Sequence, residues 1–269
     1  INSGNDAAVA VAEHIDGSVE RFAENINVYL KDKIGVYNTH FTNPNGLFDP
    51  NHYTTAMDLA TMTNYAKKNP VFSEIFGTKE LQWVGESWKT TLITHHLMLK
   101  GEIPYTGITG GKTGYVEESK STLATTAYNG KIKLTAIVLK AANKNVMYQD
   151  TKSLLDYGFT NFQHTVISQI DIFKNGNKEF FPSRETVLTE PVNGAIKNVN
   201  DHGILKVENN EGQILQQMQL KYKEPKQLNK SNVHDVDKMN YHINAIYGMI
   251  LFAFVGMVIS IRKRVRKKY

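Results

Sequence analysis

The 269-residue chain contains no cysteine. Disulfides and thiolate-bound metals are therefore excluded. Its nine histidines form no His-Glu-x-x-His or comparable ligand spacing, so no metal and no cofactor are expected. The stretch Gly107 to Gly114 is glycine-rich, yet it is not a phosphate loop. Two residues separate Gly107 from Gly110, and one more precedes Lys112. The last eight residues, Arg262 to Tyr269, carry six basic residues and no acid. Without them the chain has 25 basic residues (31 less 6) against 26 acidic, a net of −1 rather than +5. The basic character belongs to a tail, which argues against a nucleic-acid groove. No internal repeat occurs.

Charge is also missing from Ile243 to Ile261, nineteen residues long. As a helix this run would span roughly 28 Å, close to the ~30 Å hydrocarbon core of a bilayer. A transmembrane helix over 243–261 is expected. The basic tail, 262–269, then lies in the cytoplasm and the preceding chain outside the cell, with the cell membrane as the compartment. The polar, proline-containing segment 223–242 reads as a stalk.

The remaining sequence is ordinary globular material, 41% hydrophobic and 10% aromatic. An alanine-rich helix runs through Ala7 to Ile15, with Ser3, Asn5 or Asp6 as its cap. A second begins near Ser18, carries Phe22, Ile26, Tyr29 and Leu30 on one face, and ends at Lys33-Ile34-Gly35. Asn38 to Pro50 is too rich in turn formers for an element and reads as an ordered loop. A third helix is predicted over 55–68, with Ala56, Leu59, Ala60 and Thr63 inward and Pro70 as its stop. After Pro70 the pattern turns to strand. Leu81–Val84 and Trp88–Thr91 form a short pair, and Asn129-Gly130 joins two apolar strands as a hairpin. Helix resumes over 150–159 with Leu154, Leu155 and Tyr157. This order predicts an α+β fold with helices packed on an antiparallel sheet. From about Gln163, short alternating runs at 165–167, 170–173, 186–188, 204–207 and 214–220 predict a small all-β domain over 161–222.

Within the first 160 residues, Lys112-Thr113-Gly114-Tyr115 carries the most chemistry. Its lysine offers a positive charge, its threonine a hydroxyl donor, and Gly114 removes a side chain so that a ligand can lie against the backbone. The next N–H, on Tyr115, can face a developing oxyanion. Together they make a rail for a carboxylate.

Several motifs agree in order and spacing. They are Ser3-Gly4-Asn5-Asp6-Ala7 before a helix, Asn38-Thr39-His40-Phe41 leading to Asn43-Pro44-Asn45-Gly46-Leu47, His52-Tyr53-Thr54-Thr55-Ala56, the lysine–threonine–glycine triplet, and Leu154 to Phe159. In these the chain resembles the low-molecular-weight penicillin-binding proteins, serine-type D-alanyl-D-alanine carboxypeptidases of peptidase family S11. The resemblance covers residues 1 to about 160 and implies part of a β-lactamase/transpeptidase-like domain. It also implies a hydrolase of peptidoglycan maturation, removing the terminal D-alanine of stem peptides through an acyl-serine and binding β-lactam antibiotics. By the same resemblance, Ser3 relays a proton and Asn5 holds the substrate's peptide group. Lys112 and Thr113 face its carboxylate, and the Tyr115 N–H is one of two oxyanion donors.

One departure is large. The family's first motif, Ser-x-x-Lys, is expected some tens of residues before Ser-x-Asn. The sole match here, Ser260-Ile261-Arg262-Lys263, falls at the far end of the apolar run. The resemblance therefore implies a chain truncated at its N-terminus, without its nucleophile and inactive as written, since removing a nucleophile abolishes covalent catalysis. The alternative is a membrane-anchored peptidoglycan-binding protein with no chemistry. Smaller departures are Thr109, where the family often has an aspartate, and His95-His96, where it has an asparagine.

Overall fold

A computed structural model describes residues 1–224. Four helices come first: α1 (Asn5–Asp16), α2 (Val19–Tyr29), α3 (Ala56–Ala66) and α4 (Pro70–Gly77). They are followed by β1 (Glu80–Val84), β2 (Lys89–Ile93), the one-turn α5 (Leu97–Lys100), β3 (Ile108–Val116), β4 (Lys120–Tyr128) and β5 (Lys133–Ala141). The long α6 (Lys144–Asn161) leads directly into β6 (Phe162–Ile167), β7 (Phe173–Asn175), β8 (Lys178–Phe181) and β9 (Thr186–Pro191). Strands β10 (Ile196–Val199), β11 (Ile204–Glu208), β12 (Ile214–Gln219) and β13 (Lys221–Tyr222) complete the described chain. The α+β architecture agrees with the sequence reading.

Helix α2 starts where its cap dictates, the Ser18 hydroxyl accepting the Arg21 N–H at 3.2 Å. It ends in a π-turn, Leu30–Ile34, closed by Gly35 in a left-handed conformation (φ 81°). Helix α1 departs from expectation: Gly4 is its N-cap and no side chain caps it. Ser3 instead sits just outside in a left-handed conformation (φ 52°), uncommon for a residue with a Cβ.

Pro70 does not merely stop α3. It opens α4, where strand was expected. Proline at N1 is pre-set for helical φ, and the Asn69 carbonyl oxygen of the side chain accepts the N–H groups of Val71 and Phe72 at 2.9 and 3.3 Å. In α3 the inward set is also corrected. Ala56 is exposed, and the buried residue is Asp58.

The sheet order is β3-β4-β5, all antiparallel, which leaves β3 at an edge. The Asn129-Gly130 hairpin is present, but as a four-residue connection. The Asn129 side-chain oxygen accepts from Lys131 N–H and Ile132 N–H at 3.0 and 2.9 Å, forming an Asx turn. Among the described residues strand β1 pairs only with β2, a separate hairpin.

Helix α6 begins at Lys144, earlier than predicted. Its buried residues, Met147, Tyr148, Thr151, Leu155 and Gly158, follow a helical period. Leu154 and Tyr157 point outward. A Cβ on Gly158 would stand 2.6 Å from Leu134 Cδ1, so glycine lets the helix settle on β5. Leu123, Val138, Met98, Met147 and Tyr148 form the core between sheet and helix. Burying each large apolar side chain there contributes about 1.5–3 kcal/mol.

Strands β6 to β13 surround a second cluster of Ile167, Phe180, Leu188, Leu205, Val207 and Leu220. The predicted strand over 170–173 reduces to Phe173 at the start of β7, and Ile170 is 87% exposed. No helix among the described residues is long and apolar enough to cross a membrane. The expected span 243–261, its basic tail, and nearly all of the stalk lie outside the described residues.

Candidate active site

Strand β3 presents the lysine–threonine–glycine triplet on the edge of the sheet, with Lys112 opposite Ala124 and Gly114 opposite Thr122. An edge strand turns half of its backbone donors and acceptors away from its neighbour, which leaves them free for a ligand. A Cβ on Gly114 would lie 2.5 Å from Thr122 Oγ1. The glycine therefore serves close strand packing as well as ligand access. Lys112 Nζ donates to the Thr113 carbonyl. Its exposed side chain lines the cavity, and desolvation by neighbouring atoms lowers its pKa from the ordinary lysine value. The exposed Tyr115 donates its hydroxyl to Glu117 at 2.7 Å, and Glu117 pairs with Lys120.

Two glycines before the triplet explain how the strand is held. A Cβ on Gly110 would meet the Phe76 ring of α4 at 2.5 Å. A Cβ on Gly111 would meet the His96 imidazole at 2.2 Å. Successive residues of a strand face opposite sides, so Gly110-Gly111 lets a helix approach from one side and a histidine from the other. His96 is 1% exposed. Its Nδ1 accepts the Leu99 N–H at 3.1 Å, so the neutral ring carries its proton on Nε2, which donates to Thr125 Oγ1 at 2.8 Å. Burial pushes its pKa down to about 4. It stacks edge-on against Tyr148, whose hydroxyl accepts the Leu97 N–H at 2.8 Å. The sequence marked His96 only as a departure. Its structural role depended on contacts with β4 and α6 that no local pattern encodes.

The loop 38–54 forms a facing wall. Asn27 clamps it: its amide donates to Phe41 O at 2.7 Å and its carbonyl oxygen accepts the Phe41 N–H at 2.8 Å. Asp58 Oδ2 accepts from Asn38 N–H and Thr39 Oγ1, both at 2.8 Å. Residues His40 and Tyr53 exchange backbone hydrogen bonds at 2.9 Å. These ties make the predicted loop an ordered one. Within it, Phe41 stacks on His52 at 4.9 Å, and burial lowers the His52 pKa.

The walls enclose a cavity of about 1030 Å³. Ser3, Asn5, Lys112, Thr113, Gly114 and Tyr115 all line it. The structure thus brings together every site residue expected from sequence, from two segments far apart in the chain. It adds lining residues that the motifs did not single out as site residues, among them His52, Lys140 and Lys144. The first lay inside a quoted motif; the two lysines carried no signal. Among the described residues, no three His, Asp or Glu side chains gather as a metal site requires.

Comparison with known proteins agrees with the family resemblance and the α+β fold. The D-alanyl-D-alanine carboxypeptidase family, peptidase family S11, matches residues 1–143. D-alanyl-D-alanine carboxypeptidase DacF of Bacillus subtilis is 31% identical over 217 residues, covering 77% of this chain and 54% of its own length. DacA of Haemophilus influenzae is 34% identical over 176 residues, covering 60% and 40%. The chain thus spans about half the length of the curated relatives it matches. Among solved structures, penicillin-binding protein 5 from Haemophilus influenzae shares the fold with a TM-score of 0.64 at 24% identity, over 82% of this chain and 70% of that one. A D-alanyl-D-alanine carboxypeptidase from Mycobacterium tuberculosis gives 0.52 at 29% identity, over 58% and 60%. Matched over residues 1–143, more than half its length, the chain belongs to peptidase family S11, the D-alanyl-D-alanine carboxypeptidases.

Proposed function

We propose that this chain carries the substrate-holding part of a serine-type D-Ala-D-Ala carboxypeptidase of peptidoglycan maturation, with the nucleophilic Ser-x-x-Lys supplied outside these 269 residues. The reading rests on one observation above others: Ser3, Asn5 and Lys112 to Tyr115 share one cavity. Lys112 and Thr113 take the terminal carboxylate of the stem peptide, and that incoming charge compensates the desolvation that lowers the Lys112 pKa. Gly114 leaves room for the ligand backbone. The Tyr115 N–H donates to the oxyanion as the carbonyl becomes tetrahedral, a contact of a kind contributing about 2.7–4 kcal/mol to transition-state stabilisation. Asn5 holds the peptide group. Ser3 passes the proton to the leaving amine. β-Lactams, as mimics of D-Ala-D-Ala, occupy the same cavity. The apolar run 243–261 anchors the protein in the cell membrane with the cavity outside and the basic tail in the cytoplasm. Protease added to intact cells would then cleave residues 1–224 and spare the tail.

A second reading is favoured by one sequence fact. The sole Ser-x-x-Lys in these residues is Ser260 to Lys263. A membrane-anchored peptidoglycan-binding protein would hold D-Ala-D-Ala ends without cleaving them. Calorimetric titration with an acetylated D-Ala-D-Ala peptide tests what both readings share. Binding is expected, and Lys112→Ala should weaken it roughly tenfold to a hundredfold, the loss of a charged hydrogen bond. Unchanged affinity would remove Lys112 from the site. Labelling with a fluorescent penicillin separates the readings. The 269-residue chain should give no adduct that survives denaturation. The chain extended by its upstream coding sequence should give one if the enzyme reading holds, and none if the protein only binds.

A further inference from the structure

The β1–β2 hairpin joins no other sheet among the described residues. Every residue of β1 is exposed, and so are both ends of β2. A lone two-stranded ribbon is marginally stable in water, so its side chains need a surface to meet. The side chains it leaves open are apolar. In register, Leu81 opposes Leu92 and Trp83 opposes Thr90. The Gly85 N–H donates to the Trp88 carbonyl at 3.0 Å, which carries the ladder one pair further and sets Trp88 opposite Gly85. Alternation then puts Leu81, Trp83, Trp88 and Leu92 on one face. The two indoles are 44% and 55% exposed, and Val84 beside the turn is 71% exposed. Trp83 and Trp88 are the only tryptophans in the chain. Open apolar surface gathered in this way marks a contact site.

Charge argues against a polyanion as the partner. Over 79–93 the two lysines, Lys79 and Lys89, are balanced by Glu80 and Glu86. An amphipathic surface fits better. Tryptophan, with an apolar ring and one N–H donor, is enriched where a bilayer meets water. Glu86, in the turn itself, would hold the tip at headgroup depth rather than among the acyl chains. A bilayer also lies within reach. Residues 225–242 separate the described residues from the apolar run 243–261, and a chain of that length spans at most roughly 60 Å.

We propose that the β1–β2 hairpin docks in the membrane–water interface, with Trp83 and Trp88 at headgroup depth. The protein would then touch its bilayer at a second point, away from its anchor. The inference rests on the reading of 243–261 as that anchor and is independent of the substrate reading.

The test reconstitutes the full chain into phosphatidylcholine vesicles, plain or with acyl chains brominated near the headgroup. The run 243–261 contains no tryptophan, so indole emission reports the hairpin alone. Emission should be quenched by the brominated lipid and shielded from acrylamide, at low and high salt alike, because the attraction is apolar. Trp83→Phe and Trp88→Phe each leave one indole, and both variants should still be quenched. Val84→Asp falls at an exposed position opposite Lys89, so the hairpin should form. That variant should lose most of the quenching while still floating with the vesicles. Emission indifferent to brominated lipid and open to acrylamide would overturn the docking and leave the anchor standing. So would quenching that Val84→Asp leaves intact. Shielding from acrylamide without quenching would overturn it too, by showing that a second copy or another protein surface covers the hairpin. A chain that does not float with vesicles would overturn the anchor reading, and the docking with it.

Discussion

His96 lies beneath the lysine–threonine–glycine strand with both ring nitrogens engaged, one accepting from Leu99 and the other donating to Thr125. That pattern admits only the neutral ring. Protonation would put a donor where the Leu99 N–H already points and would leave a buried charge unpaired. The folded pKa of about 4 lies below the ordinary 6.5. The unfolded chain therefore binds the proton first as pH falls. Stability attached to this histidine is fully present above about pH 6.5 and is lost as pH drops from there towards 4. The loss is about 3 kcal/mol. Denaturant unfolding at pH 7.5 and pH 4.5 should show it, and in His96→Asn the step should shrink. An equal step in both proteins would assign the acid sensitivity elsewhere.

At the scale of elements, α4 and the one-turn α5 are absent from the sequence reading, and α4 packs on Gly110. Pro70 was read as a terminator because proline ends helices, yet the same locked φ starts them. The deciding residue is Asn69, which caps two N–H groups. Asn69→Ala should cost about 1 kcal/mol of stability and loosen the support behind β3. Thermal melts would measure the first effect, and faster amide exchange across 108–116 the second. Intact protection there would uncouple α4 from the rail. Elements with strong local signals, such as α2 with its serine cap and the strands flanking Asn129-Gly130, were legible. The first turns of α6, absent from the sequence reading of 150–159, start at the Asn143 cap, whose side chain accepts the Val146 N–H, and bury Met147 and Tyr148. The candidate site was legible because its chemistry sits in short motifs. Its scaffolding was not, since Gly110 against Phe76, Gly111 against His96 and Asn27 against Phe41 are pairings between distant segments.

Considered whole, the described residues place a polar rail at the rim of a sheet that has no strand beyond it. Such a rim does not distinguish a ligand from another protein. Any extended segment can lay its own amides along β3, including the β3 of a second molecule. Crowded, ligand-free protein should therefore stick to itself. Light scattering in a concentration series should reveal this, and saturating D-Ala-D-Ala peptide should suppress it by occupying the rim first. A bare strand edge of this kind carries a colloidal liability that any occupant of the edge relieves.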